Sequence, residues 1–111
     1  MKRLTRLLPL VVLAAAAQAT SARADTGTPP DADDQIRLKR LLVQDCGSCH
    51  GLQMNGGLGP ALRPQDLSGK PVSSLVATIL HGRPGTAMPP WQRLLNEDEA
   101  QWLVEQLLKG L

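Results

Sequence analysis

The chain has no phenylalanine and no tyrosine among its 111 residues. Its large aromatic side chains are two tryptophans, Trp91 and Trp102. A small domain with so few large rings has little material for a core, and domains of this size usually need a metal or a cofactor for stability. The sequence also lacks internal repeats, a phosphate-binding loop and any Ser/His/Asp or paired-carboxylate arrangement with catalytic spacing. These absences exclude a repeat protein and argue against an enzyme.

The first 24 residues have the parts of a secretory signal peptide. The positive start contains three basic side chains, Lys2, Arg3 and Arg6. An apolar run follows over residues 7–17, and Ala22-Arg23-Ala24 supplies the small residues of a cleavage site. The apolar run is short for a bilayer span, so an uncleaved anchor is the lesser alternative. We expect residues 1–24 to be removed on export to the periplasm.

The charge balance changes once this leader is set aside. The whole chain has 12 basic and 10 acidic residues, but four of the basic residues and none of the acidic ones lie in the leader. The remaining chain therefore has 8 basic and 10 acidic residues, a net charge of −2. A net charge of this sign and size does not indicate a nucleic-acid-binding surface. Residues 25–30 predict a flexible N-terminal tail, and the rest is long enough for one small domain.

The two cysteines lie in the stretch Cys46-Gly47-Ser48-Cys49-His50, which has the C-x-x-C-H pattern of c-type haem attachment. Two residues between the thiols let one tight turn reach two neighbouring vinyl groups as thioethers. A histidine directly after the second thiol is held close beneath the iron. The pattern predicts Cys46 and Cys49 as the covalent attachment points of one haem c and His50 as an axial iron ligand. A flat porphyrin would also fill the volume that aromatic side chains do not.

Three other uses of a C-x-x-C pair stay open at this point. A thioredoxin-like redox site accompanies a βαβ pattern, and the chain has no alternating, strand-like runs. A zinc site needs four ligands, which Cys46, Cys49, His50 and His81 would supply only if the adjacent Cys49 and His50 bound the same ion. A disulfide across the short loop is feasible in an oxidising compartment. We favour haem over all three.

Three segments with helical periodicity predict an all-α fold. The first runs from about Asp31 to Asp45, with acidic residues at its start and leucines at i, i+3 and i+4 spacing. The second spans about 71–82, with a proline at its start and a glycine at its end. The third opens with a capping-box pattern at Asn96 and ends near Gly110. Residues 51–70 and 83–90 are rich in glycine and proline and predict loops.

Each loop contains a residue that a haem site requires. His50 needs a hydrogen-bond acceptor at its second ring nitrogen to fix its orientation, and the carbonyl of Pro60, in Gly59-Pro60, is our candidate. The loop at 83–90 contains Met88 between stiff prolines. A thioether is a good ligand for haem iron, and a Met/His pair raises the reduction potential. We predict His50 and Met88 as the two axial ligands.

Two further side chains compete for the second axial position. Met54 follows His50 by only four residues and cannot easily cross to the opposite face of a porphyrin. His81 lies at the C-terminal end of a predicted helix, where a cation is favourable. We treat iron ligation by His81 as the minor alternative and a role on the surface as the main one.

These motifs occur in a familiar order. The C-x-x-C-H stretch, Gly59-Pro60, and Met88 followed by prolines and an amphipathic C-terminal helix resemble the class I cytochromes c. The resemblance implies a small class I cytochrome c domain over residues 31–111, with three to four helices around one covalently attached haem. Four stretches resemble the NirC-type small cytochromes (cytochrome c55X) of denitrification: Asp45-Cys-Gly-Ser-Cys-His-Gly51, Gly56-Gly-Leu-Gly-Pro-Ala61, Ala77-Thr-Ile-Leu80 and Gly82-Arg-Pro-Gly-Thr-Ala-Met-Pro-Pro-Trp91.

The narrower resemblance implies a periplasmic monohaem cytochrome that carries one electron at a time. Its implied partner is cytochrome cd1 nitrite reductase. The alternative is a redox accessory factor in haem d1 biogenesis, with the proteins that mature nitrite reductase as partners. A ligand-sensing or peroxidatic haem protein would need an open distal position, which Met88 argues against.

Overall fold

The computed structural model describes residues 27–111. The predicted signal peptide and the first part of the 25–30 tail lie outside the described residues. Residues 27–30 have no regular structure, and from there to residue 111 the regular secondary structure is helical, without a β-strand. In this part of the chain, none of the helices has the length and apolar character that crossing a membrane requires.

The first helix, α1 (Ala32–Leu41), begins where the sequence predicts. The Asp31 side chain accepts a hydrogen bond from the Asp34 backbone N–H at 2.9 Å, which satisfies one of the free donors at the helix start. Acidic residues occupy the first turn and basic residues the last turn. Both placements are favourable in the field of the helix dipole.

The helical path does not stop near Asp45, as the periodicity predicts. It continues through a π-helical segment (Leu42–Cys46) and a further turn, α2 (Gly47–His50). Gly51 ends the path with a φ of +91°, a conformation that glycine adopts readily. The π-helical segment follows the last full turn of α1, and wide turns of this kind are frequent at functional sites.

The predicted loop at 51–70 contains a short helix, α3 (Pro64–Leu67), so its assignment as loop throughout is wrong. Proline at the first helical position costs no hydrogen bond, because that N–H would be free in any case. Asp66 accepts a hydrogen bond from the Arg63 backbone N–H at 3.1 Å and another from its Nε at 2.7 Å. This local pairing outweighs the flanking breakers, and Leu67 is buried as a result.

The two remaining helices match the predicted segments. Helix α4 (Val72–His81) starts directly after Pro71 and ends at Gly82. Helix α5 (Glu97–Lys109) has Asn96 as its N-cap, and the reciprocal hydrogen bonds between Asn96 and Glu99 are both present at 2.9 Å. The predicted capping box is confirmed.

Helix α5 is the centre of the core. It packs against α4, α3 and α1, so the first and last helices of the described chain are in contact. Arg37 of α1 forms an ion pair with Glu99 of α5 at the same crossing. The least exposed large side chains are Leu38, Leu42, Leu103 and Val104. Burying a leucine fully is worth about 1.5–3 kcal/mol, so these residues fix the frame on which the site is built.

Candidate functional site

Cys46 and Cys49 lie on the last turns of the helical path that begins with α1. Cys46 ends the π-helical segment and Cys49 lies in α2. Both thiols are free, so the disulfide alternative is not realised in this structure. Within residues 27–111, no group of three or more His, Cys, Asp and Glu side chains could hold a metal ion. The four-ligand zinc alternative is therefore wrong.

The two thiols do not lie in open solvent. Burial raises the pKa of the Cys46 thiol to about 11, and the negative charge of the adjacent Asp45 acts in the same direction. At neutral pH this side chain is a protonated thiol in the haem-free fold. A free metal ion prefers a thiolate ligand, whereas a thioether carries no charge and suits this half-buried position.

His50 is held by a single backbone carbonyl ten residues further along. Its Nδ1 lies 2.7 Å from the Pro60 oxygen. A carbonyl oxygen only accepts, so Nδ1 donates and Nε2 keeps its lone pair for another partner. The structure therefore pairs His50 with the acceptor that the sequence analysis names.

Gly59 makes this contact possible. A Cβ at position 59 would lie 2.7 Å from His50 Cε1 and 2.8 Å from its Nδ1, closer than carbon atoms approach one another. The imidazole therefore lies directly against the Gly59 backbone. No other residue type fits this position without displacing the ring.

The glycine-rich segment after His50 wraps back onto the end of α2. The backbone N–H of Gly59 donates to the Cys49 carbonyl at 2.8 Å, and the N–H of Gly56 donates to the His50 carbonyl at 2.8 Å. The last carbonyls of a helix have no partners within it, and this loop satisfies two of them. The glycines at 56 and 59 thus serve the backbone of the attachment motif.

The loop that contains Met88 is fixed to the end of α4. The Arg83 N–H donates to the Met88 carbonyl at 3.1 Å, and the Met88 N–H donates to Thr86 Oγ1 at 3.3 Å. Beyond the loop, the Trp91 N–H donates to the Ile79 carbonyl at 3.0 Å. Gly82 has a φ of +67°, and a Cβ there would lie 2.6 Å from the Met88 oxygen. The loop therefore passes directly over the end of α4.

A cleft between these two loops joins the predicted site residues. It consists of two adjoining cavities, an outer one of about 440 Å³ and an inner one of about 450 Å³. Five residues line both cavities: Cys46, His50, Pro60, Arg83 and Met88. Cys49 lines the outer cavity. The inner cavity reaches the core, and its walls include Leu103 and Leu107 of α5.

Two competing side chains lie away from the cleft. Met54 is 2% exposed and packs in the core. His81 is exposed at the end of α4 and lines neither cavity. Neither residue reaches the cleft that contains His50 and Met88, and the structure therefore gives no support to iron ligation by His81 or Met54.

The residues of the cleft fit a covalently attached porphyrin. Two thiols, an imidazole with one nitrogen already engaged, and a thioether on a separate loop surround an apolar space of suitable size. The family model for "Cytochrome C oxidase, cbb3-type, subunit III" matches residues 33–106. The fold and the site together define a c-type cytochrome domain.

Comparison with individual proteins shows which family of c-type cytochromes the chain resembles. A curated cytochrome c55X of Pseudomonas aeruginosa is 64% identical over 73% of this chain and 68% of its own length. A solved structure of the c-type cytochrome NirC is 62% identical, with a TM-score of 0.71 over 72% of this chain and 94% of the other. The chain belongs to the cytochrome c55X family of c-type cytochromes. Its cofactor is one covalently bound haem c, and Cys46 and Cys49 are its only cysteines.

A third similarity reaches a larger protein. The dihydro-heme d1 dehydrogenase NirN, solved in complex with DHE, contains a region 37% identical to this chain, with a TM-score of 0.61. The match covers 66% of this chain but only 16% of that protein. A domain similar to this one therefore also occurs as part of a longer chain.

Several residues of the site were not identified from the sequence. Thr86 holds the Met88 backbone, and Arg83 and Lys70 line the cleft. Arg83 and Thr86 lie within the Gly82–Trp91 stretch that carries the family resemblance, and this was the available indication for them. Lys70 lies in the predicted loop and had no distinguishing pattern.

Proposed function

We propose that this chain is a periplasmic one-electron carrier that binds its haem iron between His50 and Met88. When bound, haem c supplies an iron that alternates between the ferric and ferrous states by one electron. The observation that carries the proposal is the shared cleft, in which His50 and Met88 line both cavities from two separate loops.

The roles of the individual residues follow from their contacts. Cys46 and Cys49 would hold the porphyrin through thioethers. The Pro60 carbonyl holds the His50 ring by its Nδ1–H at 2.7 Å, which directs Nε2 towards the iron and increases its basicity. The hydrogen bonds of the Met88 backbone to Arg83 and Thr86 hold the part of the loop from which its thioether extends. A site fixed on both sides reorganises little when its charge changes.

With His50 and Met88 as its two ligands, the iron would have no position left for a substrate. This supports a carrier rather than an enzyme. Leu58, which is 79% exposed, lines the outer cavity together with Ala87 and Pro89. An exposed apolar rim of this kind suits a small, short-lived contact with a redox partner. We propose cytochrome cd1 nitrite reductase as that partner, in denitrification.

Replacing Met88 with Ala tests the axial assignment in the exported protein. We expect the ferric spectrum to lose its methionine–iron charge-transfer band, the reduction potential to fall, and the ferrous form to bind carbon monoxide. Met54→Leu is the matched control, because Met54 lies in the core and away from the cleft. A band that persists in the Met88→Ala protein would exclude Met88 as the ligand. The mass of the same sample tests removal of residues 1–24 and attachment of the haem.

A second candidate function has its own support. The similarity to a region of the dihydro-heme d1 dehydrogenase NirN favours a role as redox partner in haem d1 biogenesis. A strain that lacks this chain separates the two functions. Nitrite reductase that contains its full complement of d1 but fails to turn over with the physiological donors supports the carrier. Nitrite reductase that lacks d1 supports the maturation role.

A further inference from the structure

Two cationic side chains line the cleft without a role in the proposal above. Five residues line both cavities, and four of them would bind the haem or hold His50. The fifth is Arg83, whose side chain has neither role. Lys70, which lies between α3 and α4, lines the inner cavity. Within residues 27–111, the ion pairs are Arg37 with Asp34 and Glu99, and Arg63 with Asp66. The Arg83 and Lys70 side chains belong to none of them.

The acidic side chains of the cleft do not balance these charges. Asp66 lines the inner cavity but is paired with Arg63 at 2.7 Å. Asp45 lines the outer cavity at the end of the π-helical segment. The cleft thus has two cations without a partner and one carboxylate without a partner, among otherwise mostly apolar walls.

Haem c itself carries two propionate carboxylates. Moving a carboxylate into an apolar cleft without a partner is costly, and a guanidinium offers a planar pair of donors that matches a carboxylate. We propose that Arg83, together with Lys70, binds the haem propionates and so orients the porphyrin in the cleft. This inference rests on the proposed function, because it requires the haem to occupy this cleft.

The backbone of Arg83 extends its effect to the axial ligand. Its N–H donates to the Met88 carbonyl at 3.1 Å, and its carbonyl accepts from Thr86 Oγ1 at 2.7 Å. One residue therefore anchors the methionine loop with its main chain and contacts the carboxylates of the haem with its side chain. Arg83 is a positioning residue for both.

The test replaces Arg83 with Gln and measures the midpoint potential of the exported holoprotein. Removing a positive charge near the iron favours the ferric state, and we expect a roughly three- to tenfold shift of the ferrous-to-ferric ratio at a fixed ambient potential, where tenfold is about 59 mV for one electron. Arg93→Gln is the matched control, because Arg93 is exposed and lines neither cavity. Arg83→Lys, which keeps the charge, should restore most of the potential.

The pH dependence of the potential gives a second readout that a purely structural role would not move. The charged groups that line the cleft are Asp45, Asp66, Lys70 and Arg83. Loss of the Arg83 charge should raise the pKa of the propionates, so the fall of the potential with increasing pH should occur at a higher pH. Lys70→Gln should act in the same direction by a smaller amount.

The methionine–iron charge-transfer band distinguishes a failure of the proposed axial pair from a failure of the propionate role. If the wild-type protein lacks the band, the proposed axial pair is wrong. If the band is present in all variants and Arg83→Gln has the potential and pH profile of Arg93→Gln, the propionate role of Arg83 is overturned. If Arg83→Gln loses the band, its potential no longer reports on the propionates alone, and the test then depends on Arg83→Lys and Lys70→Gln. Wild-type behaviour of Lys70→Gln together with a low potential in Arg83→Lys would then overturn the inference.

Discussion

The two sides of the cleft are built by different means. On one side, His50 lies directly after Cys49 in the chain, and its partner Pro60 is ten residues away. On the other side, Met88 lies on a loop without regular structure, which is held by backbone hydrogen bonds to α4. On the histidine side, the ring itself is held by the hydrogen bond to Pro60 and by the close approach of Gly59. On the methionine side, the hydrogen bonds described above involve only the backbone of Met88. The methionine side should therefore be the first to open.

The first prediction concerns the histidine side and has the largest expected effect. In Gly59→Ala, the new Cβ would lie 2.7 Å from the His50 ring, and the ring or the loop must move. We expect a loss of about 2–4 kcal/mol in the free energy of unfolding, measured by urea denaturation of the holoprotein. Gly47→Ala is the control, because Gly47 has an ordinary helical φ of −61° and a Cβ there would lie no closer than 3.4 Å to another atom. Equal losses in the two variants would contradict the ring contact.

The second prediction addresses the methionine side with a closely matched pair. Gly82 and Gly85 both have a positive φ, +67° and +79°, but only a Cβ at Gly82 meets the loop, 2.6 Å from the Met88 oxygen. The strained backbone alone should cost each alanine variant about 1–2 kcal/mol. Gly82→Ala should in addition weaken the methionine–iron band, while Gly85→Ala should leave it unchanged. A band that weakens to the same extent in both variants would mean that the close approach at Gly82 is not what holds the loop.

A smaller effect is expected from the hydroxyl that supports Met88. Thr86→Val removes the hydrogen bonds to the Met88 N–H and the Arg83 carbonyl, at 3.3 and 2.7 Å. A hydrogen bond contributes about 0.5–1.5 kcal/mol, so the methionine–iron band should disappear at a lower urea concentration than in the wild type. Ser73→Ala, an exposed change on α4, should have no such effect. If the global unfolding midpoint moved as far as the band, the methionine side would not open separately.

The smallest effect concerns how the ion pair between Arg63 and Asp66 makes the stability depend on pH. The hydrogen bonds from Arg63 hold the pKa of Asp66 below its ordinary value. A carboxyl with a lowered pKa stabilises the fold at a pH above its unfolded value, near 3.9, and this contribution is lost as the pH falls through the folded value. Asp66→Asn should therefore flatten the acid limb of a thermal melting series slightly. Arg63→Gln, which removes the partner of Asp66, should flatten that limb to a similar extent. An acid limb that is unchanged in Arg63→Gln would mean that this ion pair is not the cause.

The sequence predicted those parts of the molecule that depend on neighbouring residues. The caps at Asp31 and Asn96, the ends at Gly82 and Gly110, and the pairing of His50 with Pro60 lie where local patterns place them. Their determinants are turns, caps and spacings, which act over a few residues. The assignment of Met88 to the cleft also came from the sequence, with the family resemblance in support.

The features that were missed have different causes. Helix α3 forms because Arg63 and Asp66, three residues apart, pair in the middle of a segment full of breakers, and the many glycines and prolines there hid this local signal. Lys70 and Arg83 line one cleft because of how the chain folds, which local sequence patterns do not show. The π-helical segment has no signature in hydrophobic periodicity.

The π-helical segment (Leu42–Cys46) determines which way the residues of the attachment motif face. Leu38, Leu42, Cys46 and His50 are spaced four residues apart. At 3.6 residues per turn, such a row drifts by about 40° per step around an α-helix. The π-helical segment between Leu42 and Cys46 advances less per residue and so reverses part of this rotation. Leu42, Cys46 and His50 consequently line the same cavity, and a one-residue deletion between Leu38 and Cys46 would turn the imidazole and the first thiol away from it.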